Sequence, residues 1–467
     1  MLNIKVGPII RQYLIVIVAN LSVLNVGLGL AWPSPVLVKL RNETETILPE
    51  IISEEDGSWV VSIGILFGPL ANFLGAYLVD RVGRKCCIVL SYVPRLLACF
   101  ILTFATEVWM LLVGRMASGM ADCMVFCVVP MYALEIASKE VRGSLGTILQ
   151  IFSSIGIVTM LSTGPFTPYI PLNIVLICVA IITLIPTLFV PDSPYYLHSK
   201  GRKEETLRVL TFLRGSETSA HDEIREYAAN EARETVDRKA LLRNKAFLKA
   251  LGMVIVIGIG SQAVGFNAVS FYLQTILEST QTTVNPQIAS VIIGMIQLTA
   301  SVCTTMVSDR FGRKPILTST LAVMSIGMVG LGVFFKLKES GPVVGFLNYL
   351  PIISLVLVVF SYSAGVGSLI WSLNAELFDG PARAIGVTVS LLSSMSVVFL
   401  TTKYFALLNK VLGPAVTYWF FSINALLMCM FIMFCVPETK GKTIMEIQEA
   451  LGAKKIHVES KEKCEKC

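Results

Sequence analysis

The charged residues of this chain recur in a pattern that can build ion clusters. Gly75-Ala-Tyr-Leu-Val-Asp80-Arg81-Val-Gly83-Arg84-Lys85 is echoed by Asp309-Arg310-Phe-Gly312-Arg313-Lys314-Pro315. Downstream, Glu135 and Arg142 recur as Glu376 and Arg383 with the same internal spacing. Pro191-Asp192-Ser193-Pro194 is answered by Pro437-Glu438-Thr439-Lys440-Gly441. Markers of three kinds in one order argue for a duplicated unit. A glycine at the turn lets two helices meet closely, and an Asp at a helix start accepts backbone N–H groups. Arg84 and Arg313 can then reach Glu135 and Glu376, with Arg142 and Arg383 completing each cluster. If such pairs form only when helix ends approach, the set Asp80, Arg81, Arg84, Glu135, Arg142, Asp309, Arg310, Arg313, Glu376 and Arg383 reads as a conformational switch. A plain excess of basic charge would explain the Arg and Lys residues but not the repeated acids.

The elements that position these groups are long apolar helices. The mean hydropathy is +0.72, with 54% apolar and 15% charged residues, whereas soluble chains keep about a quarter of their residues charged. Twelve runs reach the ~20 residues of a bilayer crossing: 12–32, 58–79, 86–106, 108–134, 145–166, 170–190, 248–277, 288–307, 315–335, 347–375, 385–408 and 414–436. The expected fold is an all-α membrane protein, with twelve transmembrane helices in two pseudo-symmetric six-helix halves. Residues 1–190 form the first half, 191–247 a cytoplasmic linker with short amphipathic helices, 248–436 the second half, and 437–467 a tail. The first span carries no cleavage site after its apolar core and reads as a retained helix.

Arg81, Arg84, Lys85, Lys139, Arg142, Arg310, Arg313 and Lys314 share one face, while Glu43, Glu45, Glu50, Glu54, Glu55 and Asp56 crowd the first loop. Basic residues mark the cytoplasmic side, so both termini are expected inside and the first loop outside. Asn42-Glu43-Thr44 is a glycosylation acceptor triplet in that loop. The net charge of +6 is accounted for by topology and anionic lipid rather than nucleic acid. Cys464-x-x-Cys467 has no second ligand pair nearby; it reads as exposed thiols, with S-acylation open. No ordered nucleophile, metal cluster or nucleotide loop is present, so neither enzyme nor cofactor is expected.

The motifs resemble those of the sugar porter family of the major facilitator superfamily over roughly residues 10–445. Gly114-Arg115 with Gly119 matches its G-R-x-x-x-G, and Val129-Pro130-Met131-Tyr132 with Glu135 matches V-P-x-Y-x-x-E. Trp32-Pro-Ser-Pro35 and Glu54-Glu55-Asp56-Gly57-Ser58-Trp59 are similar to insect trehalose-transporter-type members. The resemblance implies facilitative transport of a sugar, trehalose or hexose, by alternating access at the plasma membrane. It also implies that Gln150, Gln262, Asn267, Gln297 and Trp371 contact the sugar. Amides offer paired donors and acceptors to neighbouring hydroxyls, and an indole covers the apolar side of a ring. Gln and Asn in membrane helices serve equally as interhelical glue, and Trp as an interfacial anchor. The chain departs from the family at Ser261, Ser363, Ser394, Met395, Tyr195 and Thr304, and in a span ten without the proline-rich stretch. These differences bear on glucose as substrate and on the flexibility of span ten.

Proton-coupled members carry an Asp in span one, but Tyr13 to Leu40 holds no acid, and His198, His221 and His457 lie outside the spans. That favours uniport. Asp122 argues back, being a carboxylate inside span four, about 10 Å deeper than Arg115 at the helical rise. It reads as a structural partner, a sugar acceptor or a proton carrier. Proton-linked symport and a non-transporting sugar sensor stay open as rivals.

Overall fold

Each long apolar run forms a helix, and among the described residues twelve stretches are long and apolar enough to cross a membrane. They are Pro8–Leu40, Glu54–Val82, Arg84–Thr103, Val108–Ile136, Ile148–Phe166, Tyr169–Thr187, Phe247–Phe271, Pro286–Thr304, Arg313–Ser340, Gly345–Ile370, Ile385–Leu412 and Pro414–Cys435, called spans 1 to 12 in that order. The computed structural model describes residues 7–138, 140–231, 245–341, 343, 345–378 and 380–438. The side chains of 142–144, 147, 229–231, 245–246, 305–310, 371–372, 375–376 and 380–384 lie outside the described set. Among the described residues all regular structure is helical.

Local signals fix the helix starts. The Ser53 hydroxyl accepts the Asp56 N–H at 3.0 Å, and Glu54, Glu55 and Asp56 occupy the first turn of span 2, where the helix dipole favours anions. Pro8, Pro286 and Pro414 open spans 1, 8 and 12, a position where a missing N–H costs nothing. Spans 2 and 3 are joined by Gly83 alone, at φ +97°, and the helices of spans 8 and 9 by Gly312, at φ +87°. The same left-handed hinge, which favours glycine, thus turns the chain in both halves.

Two spans expected as single helices are interrupted. Span 7 runs Lys245–Ala263, breaks at Gly265 (φ +80°), and continues as Phe266–Phe271 and Leu273–Thr280. Span 10 stops at Ala364 and restarts at Val366. The family's prolines are absent here, but Gly365 supplies the break: a Cβ there would lie 1.9 Å from Thr320 Oγ1. The carbonyl freed at Ala364 accepts a hydrogen bond from Thr304 Oγ1 at 3.0 Å. The departure at Thr304 therefore repairs the departure in span 10.

The halves meet through spans 5 and 8 and spans 2 and 11. Ser154 and Ser301 hydroxyls pair at 2.9 Å near mid-span, and Ser290 reaches the Leu161 carbonyl at 3.5 Å. Toward the face bearing the 41–53 loop, Gln274 N–H donates to Ser34 Oγ at 3.0 Å, and Lys403 donates to Ser58 Oγ at 2.8 Å. Among the described residues, the hydrogen bonds joining the halves fall between mid-span and this loop face.

On the opposite face the linker helices Pro194–Ser199, Lys203–Arg214 and Glu217–Glu231 dock on the first half. Arg11 and Gln12 donate to the carbonyls of Phe212 and Leu213 at 3.0 Å each, and Arg214 donates to the Ile136 carbonyl at 2.9 Å. Arg214 also pairs with Glu223 at 2.7 Å. Burial first, and then the Glu223 charge, pushes the Tyr227 phenol well up, which keeps it a donor to Glu223.

Spans 2 and 4 touch backbone to backbone, since a Cβ at Gly119 would lie 2.2 Å from the Gly64 carbonyl oxygen. Small residues permit such contact in membranes, where packing replaces the hydrophobic drive between helices. Gly119→Val should therefore destabilise the protein by about 1–3 kcal/mol. It should lower the midpoint of thermal unfolding in detergent. Gly146→Val, where a Cβ meets nothing within 4 Å, should leave the midpoint unchanged.

Candidate functional site

Both helix breaks lie beside polar side chains. Gln262 stands just before the Gly265 break and Asn267 just after it, and Asn267 Nδ2 donates to Gln262 Oε1 at 2.6 Å. Gln262 is buried. Tyr362 of span 10 lies beside both amides, and its ring stacks on Phe266 at 3.6 Å between centroids. The turn that interrupts span 7 thus presents two amides, with the phenol of span 10 beside them. Gln297 is buried on span 8, and Gln150 is half-buried on span 5. Trp371 lies on the helix Val366–Glu376 that follows the span 10 break, and its side chain is outside the described set. Ser363, at the family's Glu position, is buried, and its carbonyl accepts from Ser368 Oγ at 2.7 Å.

The charged markers assemble differently from the simplest expectation. Arg84 grips Glu135 from Nε at 3.1 and 3.0 Å and from Nη2 at 3.0 Å, and the Ser193 hydroxyl also donates to Glu135. All of these residues belong to the first half or to its closing segment. The pair is formed while the halves are joined at the 41–53 loop face, so its formation does not await the meeting of the two halves. It braces spans 3 and 4 within one half.

Asp80 does not occupy a helix start. It lies in the last turn of span 2, its side chain 80% exposed, 3.6 Å from Arg84. The start of span 3 is capped instead by Asp192, which accepts the Lys85 N–H at 3.5 Å and the Ser193 N–H at 2.9 Å. The second half repeats this more tightly: Glu438 accepts the N–H groups of Arg313 and Lys314 at 3.0 Å each. The reason is geometric. Each helix preceding the glycine hinge continues through its Asp, so the exposed N–H groups of the next helix face the segment that closes the half. Arg81 is exposed, with its guanidinium 4.8 Å from the Tyr77 ring centre. The side chains of Arg142, Asp309, Arg310, Glu376 and Arg383 lie outside the described set.

Asp122 has a partner that sequence reasoning missed. Arg95 of span 3 pairs with it directly and donates to Ser118 Oγ at 2.9 Å. Arg115 turns elsewhere, donating to the carbonyls of Val60 at 3.2 Å and Gly29 at 3.0 Å. Its guanidinium lies 5.3 Å from the Trp32 ring centre. Two cations, one carboxylate and a hydroxyl thereby join spans 1 to 4, all buried. The signal was in the sequence: Arg95 is an intramembrane cation of the same rarity as Asp122.

A cavity of about 350 Å³ opens between the last helix of span 7 and span 11, lined among others by Arg41, Glu54, Tyr272, Thr275, Phe405 and Asn409. Among the described side chains, none of Gln150, Gln262, Asn267 and Gln297 lines it. Asn42 is exposed in the first loop, and its Oδ1 accepts from Thr44 Oγ1 at 2.9 Å.

Comparison with known proteins agrees with this architecture. Residues 36–451 match the family described as "Sugar (and other) transporter". The chain is 30% identical over 447 residues to the facilitated trehalose transporter Tret1 of Polypedilum vanderplanki, covering 95% of this chain and 88% of that one. It is 30% identical over 444 residues to Tret1 of Aedes aegypti, spanning 94% of this chain and 55% of that longer one. Among solved structures, the inward open conformation of the xylose transporter XylE from E. coli superposes with a TM-score of 0.80 at 21% identity, covering 94% and 99% of the two chains. The proton:xylose symporter XylE bound to 6-bromo-6-deoxy-D-glucose superposes with 0.75 at 21%, covering the same shares. The fold is therefore that of the major facilitator superfamily.

The Arg95–Asp122 pair yields a stability test. Arg95→Met or Asp122→Leu alone strands a buried charge and should cost about 3–5 kcal/mol. The double variant should recover most of that loss in thermal unfolding of the purified protein.

Proposed function

We propose that this chain, which belongs to the sugar (and other) transporter family, is a passive carrier that equilibrates a sugar, trehalose or a hexose, across the plasma membrane by alternating access. The observation that carries this reading is the group at the span 7 break, where Gln262, Asn267 and Tyr362 converge on one level. Their donors and acceptors match adjacent hydroxyls of a sugar. Gln150, Gln297 and Trp371 are assigned to the same solute from spans 5, 8 and 10. Discontinuous helices at a repeat interface are where transporters of this architecture hold substrate.

The linker face is assigned to the cytoplasm by its Arg and Lys residues, and the 41–53 loop to the outside. There Arg84 and Glu135 brace the inner ends of spans 3 and 4, and Asp80, Arg81, Arg142, Asp309, Arg310, Arg313, Glu376 and Arg383 are assigned to the same switch from their places on that face. Uniport is favoured over symport because Asp122 is already paired with Arg95.

In liposomes carrying the purified protein, labelled trehalose should equilibrate without accumulating, and an imposed proton gradient should leave the rate unchanged. Accumulation that collapses with the gradient would overturn the uniport reading. Gln262→Ala and Asn267→Ala should each raise KM several-fold, the scale of one or two hydrogen bonds of about 0.5–1.5 kcal/mol. Asn42→Gln should remove a glycosidase-sensitive mobility shift from protein expressed in insect cells.

A further inference from the structure

Lys403 is a cation inside the apolar window of span 11, Ile385–Leu412, where an ionisable group demands a reason. Its ammonium donates to Ser58 Oγ at 2.8 Å and lies 4.0 Å from the centre of the Trp59 ring. Both partners belong to span 2, in the other half. Ser58 spends its own proton on the Glu55 carbonyl at 2.7 Å, so its oxygen can only accept from Lys403. Trp59 is held at its angle by Phe399, one turn before Lys403, with ring centres 6.2 Å apart. Two further cross-half bonds near this face, Gln274 N–H to Ser34 and Gln287 to the Pro165 carbonyl, join uncharged groups.

These contacts have a property that the inner braces lack. Arg84 and Glu135 stay in one half, whereas Lys403, Ser58 and Trp59 touch only while spans 2 and 11 are together at the outer face. Opening that face removes the lone pair and the ring from the ammonium and returns it to water.

We infer that Lys403, seated between Ser58 and the face of Trp59, is the latch of the outer gate and sets the balance between the outward-closed and outward-open states. It touches no substrate and acts through span 2. Losing the latch should favour the outward-open state, lowering KM for entry and raising KM for exit. A ring–cation contact of this kind moves an equilibrium by roughly three- to thirty-fold, so the exit-to-entry KM ratio should rise by that order. The ratio of Vmax to KM must stay equal in the two directions, as it does for any passive carrier.

The test uses the full chain in liposomes with labelled trehalose, comparing wild type, Lys403→Met, Lys403→Arg and Trp59→Leu. Lys403→Met and Trp59→Leu should raise the exit-to-entry KM ratio, and Lys403→Arg should stay near wild type. A merely structural role would lower both Vmax values and leave that ratio alone. This readout rests on the transport reading above, so a second one stands apart from it. Hydrogen exchange of segments 54–62 and 396–405 in nanodiscs should quicken in Lys403→Met and Trp59→Leu and not in Lys403→Arg. Absence of trehalose movement by wild type would sink the trehalose reading and leave exchange to judge the latch. Unchanged exchange in Lys403→Met, or an unchanged KM ratio in an actively transporting Lys403→Met, would overturn the latch.

Discussion

Inside hydrocarbon a backbone amide has no water to pair with, and this constraint governs where the chain can depart from helix. It departs at Gly265 and Gly365, and at each place the structure answers for the freed groups. The Gly265 N–H finds the Gln262 carbonyl at 3.2 Å, and the Ala364 carbonyl finds the Thr304 hydroxyl. Irregular backbone is tolerated at this depth only with polar company. Thr304 supplies it at the span 10 break, and Gln262 and Asn267 flank the break in span 7. A level able to satisfy interrupted backbone is also able to meet a ring of hydroxyls.

Two kinds of polar contact divide the remaining work. One kind stays inside a half: Arg84 with Glu135, Arg95 with Asp122, Asp192 and Glu438 on the starts of spans 3 and 9. Buried ion pairs of this sort are costly to break singly, so they make each half behave as a body. The other kind crosses between halves through single hydroxyls, amides and one ammonium. Such bonds are each worth little net and can be exchanged for water. Stiff halves joined by a weak seam are what a rocking carrier requires.

Much of this was legible in the sequence because length and hydropathy act over whole spans. The spans, the duplication and the Arg84–Glu135 pair all follow from runs and spacings. The breaks were harder to read. Gly265 sits in an apolar run that reads as one helix, yet it takes a left-handed φ with Phe421 packed where a Cβ would stand. The cap on span 3 was assigned to Asp80 because that residue is near in sequence, whereas Asp192 reaches the same N–H groups from a distant segment. Arg95 and Lys403 were visible as intramembrane cations, but their partners Asp122 and Ser58 lie on other spans. Pairings between spans are three-dimensional facts that a single sequence does not order.

The capping carboxylates have a consequence for how the protein is made. Asp192 emerges only after the sixth span, and it completes the start of the third; the Ser193 beside it completes the Arg84–Glu135 brace. The first half is thus finished by its own last residues, before any of the second half has been synthesised. Domains fold as units, the N-terminal one first, at synthesis rates of about 5–20 residues per second. The first half can therefore reach its closed-off form in the membrane while the linker is still leaving the ribosome. The second half repeats the arrangement with Glu438, which follows the last span. Each six-helix unit carries its own finishing clasp, so assembly reduces to docking two completed bodies rather than sorting twelve helices at once.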